Sequence, residues 1–327
     1  MVDRLDLGTL TTALLPTAVL IGLGWALRSR FRFTETFWRD LERLAYFVLL
    51  PALFVSGLAR ADFTGLQVGR MAVVLALSSV AAAGLVWLLR AWIAPADGPA
   101  FTSVFQGGVR FNNYIGLVVA TALLGADGLA LAALSNAVLV PLVNITSTVT
   151  LARHGQGQAG WSRVPREVLT NPLVLACVAG MALHLLGLTS AGAALVAAPV
   201  LGELVSGLGE LVLILGGAAL PIGLLCVGAG LRRPGGSRET ARLIGWSMAL
   251  RFVAVPALAT GAALALGLSG PAAVVAILFQ SIPTASSAYV LARRLGGDAP
   301  LMAAIIAVQT LAGAVTIPLW LLVGLSL

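Results

Sequence analysis

The chain has 327 residues, 59% hydrophobic and only 10% charged, with a mean hydropathy of +1.00. Soluble domains carry about 25% charged residues, so an ordinary soluble enzyme, a disordered chain and a disulfide scaffold are excluded and a polytopic membrane protein remains. The net charge of +7 comes entirely from arginine, all 20 basic residues being of that type, and these read as topology signals in cytoplasmic loops rather than as a nucleic-acid surface.

About 20 apolar residues are needed to cross a bilayer core as a helix. Such windows fall at 10–27, 42–59, 69–93, 101–124, 128–151, 169–188, 204–230, 243–267, 272–292 and 301–325. They predict an all-α protein of ten transmembrane spans. The extended alternation of a transmembrane barrel is lacking. The start, Met1-Val2-Asp3-Arg4, has no basic n-region, and its apolar run is long for a signal sequence. It reads as span 1.

The arginines sort by loop. Arg28, Arg30, Arg32, Arg39 and Arg43 follow span 1, and Arg90 follows span 3. Arg153, Arg163 and Arg166 follow span 5, Arg232, Arg233, Arg238 and Arg242 follow span 7, and Arg293 and Arg294 follow span 9. The other side holds only Arg4, Arg60 and Arg70. Odd-numbered spans therefore end in the cytoplasm, and both termini lie outside. A multi-pass protein of the cell (inner) membrane is expected. Cys177 and Cys226 lie in apolar runs and read as packing residues. Two histidines, His154 and His184, cannot build a metal site alone, so no metal or cofactor is expected.

Landmarks recur at an offset of about 170 residues. Leu50-Pro51 matches Leu220-Pro221, Arg70 matches Arg242, and Leu124-Gly125-Ala126-Asp127 matches Leu295-Gly296-Gly297-Asp298. A duplicated unit of five spans inserts its second copy upside down, the inverted repeat of secondary transporters. The predicted units are residues 1–155 and 156–327.

Spans 4 and 9 carry weak centres. Span 4 contains Gly107-Gly108-Val109-Arg110-Phe111-Asn112-Asn113, and span 9 contains Gln280-Ser281-Ile282-Pro283-Thr284-Ala285-Ser286-Ser287. Glycine and asparagine weaken a helix, and proline removes a backbone donor. Both centres lie about ten residues into their spans, about 15 Å deep at 1.5 Å per residue. Broken helices in matching places of two inverted halves point to a transporter's binding site. Half-helix N-termini favour anions, and Arg110 adds a full charge suited to a carboxylate. An arginine near the bilayer centre costs at least ~2.5 kcal/mol, so it is expected to face a cavity; capping of broken-helix carbonyls is the structural alternative.

The candidate substrate-binding residues are Gln106, Gly108, Arg110, Asn112, Asn113, Gln280, Pro283, Thr284, Ser286 and Ser287. Asn136 and Gln309 sit at similar depth in spans 5 and 10 and are candidates for the cavity or a coupling ion. Glu210 shares a face with Glu203 near the outer end of span 7 and is a candidate for proton coupling. Arg251 lies inside span 8, deeper than the cytoplasmic rim and within snorkelling reach of it. Asp127 and Asp298 read as helix caps.

The stretches FQGGVRFNNYIGLVVATALLGADGLALAALSNAVLVPLVN, NPLVLACVAGMALHLLGL and SIPTASSAYVLARRLGGDAPLMAAIIAVQTLAGAVTIPLW resemble the signature regions of bacterial members of the auxin efflux carrier family. The resemblance covers essentially the whole chain. It implies a scaffold of spans 1, 2, 6 and 7, a mobile transport domain of spans 3–5 and 8–10, and spans 4 and 9 crossing at the substrate. It further implies an elevator-like, alternating-access carrier of small organic anions, malate, malonate or auxin-like acids, frequently a homodimer, coupled to H+ or Na+ or facilitative. Arg110 beside Asn112 and Asn113 departs from the plant pattern and favours a bacterial carboxylate over auxin. A bile-acid-type cation symporter shares the ten-span logic, and a membrane sensor is a more distant reading. An enzyme is not expected, because no H-E-x-x-H cluster or nucleotide-binding loop occurs.

The arginine bias makes a topology prediction. A cysteine placed at Asp62 is expected to react with a membrane-impermeant maleimide in intact cells. One placed at Arg293 is expected to react only after the membrane is opened. The reverse pattern would invert the topology.

Overall fold

A computed structural model describes residues 7–156, 170–189, 199–231 and 237–327. Arg4, Arg163, Arg166, Arg232 and Arg233 lie outside the described residues. All regular structure among the described residues is helical. The chain runs through α1 (Leu7–Ser29), α2 (Glu35–Ala59), α3 (Val68–Leu88), α4 (Gly98–Val109) and α5 (Asn113–His154). It continues through α6 (Pro172–Gly187), α7 (Pro199–Gly230), α8 (Arg238–Leu266), α9 (Gly270–Ser281), α10 (Ser287–Leu295) and α11 (Ala299–Leu325).

Six stretches of the described helix are long and apolar enough to cross a membrane, and α6, α9 and Leu15–Ser29 are shorter apolar helices. Exposed Leu88, Val200, Ile214 and Leu311 project from these helices, as lipid-facing side chains do. The chain is a polytopic membrane protein. Span 2 begins earlier than the apolar window predicts, because Thr34 caps the helix at Glu35 by accepting from the Phe37 N–H (3.2 Å). Its charged first turns are thus helix rather than loop.

At 42 residues, α5 is too long for one crossing, about 63 Å at 1.5 Å per residue. It is broken at Gly125, whose φ of 60° and ψ of −132° suit only glycine. Gly296, in the corresponding place after α10, also has a positive φ, 75°. The half-helices α4 and α9 match as well. Both have 12 residues, and both open on Gly-Pro-Ala, at 98–100 and 270–272. They close on residues of nearly equal backbone angle, Arg110 (φ −78°, ψ 157°) and Ile282 (φ −78°, ψ 152°).

Helix α1 packs along α7, and α2 packs between α6 and α7. The α1–α7 contact is close enough that a Cβ on Gly228 would collide with the carbonyl of Ile21. Helix α3 packs on α8 and α5, and α9 packs on α11 and α5.

Gly125 and Gly217 give a matched test, since an added Cβ meets nothing within 4 Å at either. Gly125→Ala is expected to destabilise by about 1–2 kcal/mol through its left-handed backbone. Gly217→Ala, within helix α7, is expected to be neutral or stabilising by up to about 1 kcal/mol. Thermal melting in detergent separates the two.

Candidate functional site

Both interruptions fall in the segments whose composition weakens them, and they meet. Between α4 and α5 the backbone is extended at Arg110 and Asn112. Between α9 and α10 it is extended at Ile282. The Asn112 N–H donates to the Pro283 carbonyl at 2.8 Å. Each broken strand thereby satisfies part of the other, as buried backbone requires.

Side chains supply the remaining partners. Gln309 accepts from the Thr284 N–H at 3.0 Å and donates to the Gly107 carbonyl at 2.9 Å, so one amide ties both breaks. It also donates to the Ser247 hydroxyl (2.9 Å). The Thr284 hydroxyl donates to the Gln106 carbonyl at 3.4 Å. Gln280 donates to Ser78 and Ser79 of α3, each at 2.8 Å. Asn136 donates back to Ala132 in its own helix at 2.8 Å.

The two intramembrane arginines divide the roles that the sequence leaves open for them. Arg251 is wholly buried rather than turned to the rim. It donates to the carbonyls of Ile282 (2.5 Å) and Phe279 (2.8 Å), the exposed C-terminal end of α9. Carbonyl capping, the structural alternative for Arg110, is what Arg251 does. Arg110 touches side chains instead. Its Nη1 donates to Asn144 Oδ1 at 2.9 Å, its Nη2 donates to Ser287 Oγ at 3.1 Å, and its Nε has no partner. Among the described residues no acidic side chain forms an ion pair with either arginine.

The two half-helix N-termini are unequal. Asn112 caps α5 with its own side chain, accepting from the N–H groups of Tyr114 (3.1 Å) and Ile115 (3.4 Å). Ser286 stands at the N-cap of α10 but makes no capping bond. Its hydroxyl donates instead to Glu42 of α2 at 2.7 Å. At the start of α10 the N–H groups of Ala288 and Tyr289 donate instead to the backbone carbonyls of Ala285 (3.1 Å) and Ser286 (3.0 Å), and Ser287 stands against Arg110. Gln106 is fully buried with both amide atoms unpartnered, and the Tyr114 hydroxyl is unpartnered too.

The remaining candidates fall as follows. Asn113 is half-buried at the first turn of α5. A Cβ added at Gly108 would meet Leu250 and Val86 in ordinary contact (3.4 and 3.5 Å), while one on Gly107 would strike Ser247 and Ile305. Glu210 is exposed on α7, 4.0 Å from Arg60, and Glu203 is exposed as well. Asp62 accepts from the Thr64 N–H at 2.9 Å, and the Thr64 side chain, followed by that N–H, holds its carboxyl below the usual range. Asp298 caps α11 by accepting from the Leu301 N–H at 2.9 Å. Sequence reasoning missed Glu42, Asn144 and Tyr114 as members of this cluster.

Two comparisons with known proteins bear on this arrangement. Residues 161–321 match the model of a family described as membrane transport protein. The chain is also 26% identical over 313 residues to an uncharacterized transporter of Methanothermobacter thermautotrophicus, covering 95% of this chain and 97% of that protein.

The arginines predict contrasting stabilities. Arg251→Ala strands two buried carbonyls at about 1–3 kcal/mol each, and its melting temperature in detergent is expected to fall sharply. Arg110→Ala removes a buried charge with no ionic partner and is expected to melt within a few degrees of the unaltered protein.

Proposed function

We propose, from the match of residues 161–321 to the membrane transport protein family and from the similarity to a transporter over nearly the whole chain, that the chain carries small organic anions, carboxylates of the malate or malonate kind, by alternating access. One observation carries the reading. Arg110 is 9% exposed, bonded only to neutral side chains, and leaves its Nε unpartnered beside the first residue of α10. A buried guanidinium without a counter-ion is a costly arrangement that a visiting anion relieves.

In this reading the carboxylate meets Arg110 and the first turn of α10. Ser287, Thr284, Asn113 and the Nδ2 of Asn112 offer neutral hydrogen bonds, and Gln106 lies one helical turn before Arg110. Gln280, Gln309 and Arg251 hold the broken segments in place and bind no substrate. The equal lengths and shared Gly-Pro-Ala starts of α4 and α9 support a duplicated and inverted unit of five spans. The packing of α1 on α7 and of α2 on α6 and α7 supports a scaffold of those four helices. Helices α3–α5 and α8–α11 would form the moving part. The arginine bias supports insertion in the cell membrane with both termini outside. The resemblance to the auxin efflux carriers supports a homodimer, with H+ or Na+ as the coupling ion of a coupled carrier.

Proteoliposomes test the assignment. Radiolabelled malate and malonate are expected to enter vesicles holding the protein, with at least a ten-fold lower rate for Arg110→Ala at equal incorporation. Uptake that survives the substitution would remove Arg110 as the anchor. A lack of uptake across a panel of mono- and dicarboxylates, with and without H+ and Na+ gradients, would overturn the anion reading.

A further inference from the structure

The site already contains a carboxylate. Glu42 extends from α2 and accepts the Ser286 hydroxyl at 2.7 Å. Ser286 and Ser287 are adjacent. One serves Glu42 and the other accepts from Arg110 at 3.1 Å. Yet no ion pair joins Glu42 to Arg110. An acid and a base thus flank the positive end of α10, held apart by neighbouring hydroxyls.

The groups around Glu42 are otherwise neutral. From α5 comes Tyr114, 8% exposed, with an unpartnered hydroxyl and within electrostatic reach of the carboxylate. From α7 comes Cys226, a free thiol, also within its reach. One turn further along α2 is Tyr46, which feels the charge of Arg110. On α1, Arg28 is committed to Glu35 and to the Ala229 carbonyl. Arg39, one turn before Glu42 on α2, lies 3.8 Å from Asp40.

Two carboxylates sharing one poorly solvated place repel each other. On the reading of the site as an anion site, we propose that Glu42 is a tethered competitor of the substrate. It holds Ser286 at the start of α10, next to the hydroxyl that accepts from Arg110, when no anion is bound, and it cedes that place when one arrives. Its charge sets a loose grip on the anion at the cytoplasmic side, where α2 begins, and so favours release there. Glu42 is a residue that determines affinity by competition, while Arg110 is the one that binds.

Equilibrium binding of radiolabelled malonate and malate to the purified full-length protein at pH 7 tests this. Glu42→Gln keeps the hydrogen bond to Ser286 and removes the charge. It is expected to bind at least ten-fold more tightly, since like charges a few ångströms apart in a poorly screened site interact by more than that factor. Ser286→Ala leaves the charge but loosens its hold on α10. It is expected to tighten binding by a smaller factor, about three-fold, and it serves if Glu42→Gln does not fold. Unchanged or weaker binding in both variants, with the unaltered protein binding normally, overturns the competitor and leaves the anion site standing. Absence of binding in the unaltered protein and in both variants overturns the anion site itself.

Discussion

Backbone broken inside a membrane has no water to turn to, and this constraint governs the centre of the molecule. Three devices meet it. The Asn112 N–H reaches across to the Pro283 carbonyl. Gln309 holds one N–H from one break and one carbonyl from the other. Arg251 closes the C-terminal end of α9. Each partner comes from a different helix, so the breaks persist only while α4, α8, α9 and α11 stay packed together. Helix interruption and tertiary packing here are one cooperative arrangement.

That arrangement sorts two outwardly equal arginines. Arg251 finds fixed carbonyl dipoles for its Nε and Nη2, and only its Nη1 lacks a partner. Arg110 finds an amide oxygen and a hydroxyl, both neutral and both movable side chains. A fixed charge is cheap to bury when oriented dipoles solvate it and dear when they do not. The difference in solvation, rather than depth, separates a structural cation from one that seeks a partner.

Much of this was legible in the sequence, and the remainder was hidden for identifiable reasons. Gly107-Gly108 and Pro283 announced the two interruptions, because local chemistry alone weakens a helix there. Gln309 was visible as a polar residue at the right depth. Its use as a bracket was not, since its partners lie 25 and 202 residues away. Arg251 could be placed by depth, but its carbonyl partners lie 28 and 31 residues on. Glu42 stays hidden at the very start of the predicted span 2, at the end of the charged run Arg39-Asp40-Leu41-Glu42-Arg43, and its inward place shows only once the Thr34 cap extends the helix back through that run. Asn144 sits among hydroxyl residues that bond their own helix, and nothing local distinguishes it.

The unequal capping of the two half-helices carries a consequence for direction. A side chain, that of Asn112, closes the positive end of α5, while at α10 only the backbone carbonyls of Ala285 and Ser286 do so. Two halves with similar backbones thus present different electrostatic faces to whatever lies between them. A pathway through such a centre has no mirror symmetry, so the energy profile met from one side of the membrane differs from that met from the other. For a carrier, half-saturation for entry and for exit would then differ, with the maximal rates differing in proportion, as detailed balance requires, and the capping pattern of its own helices would be the source of that asymmetry.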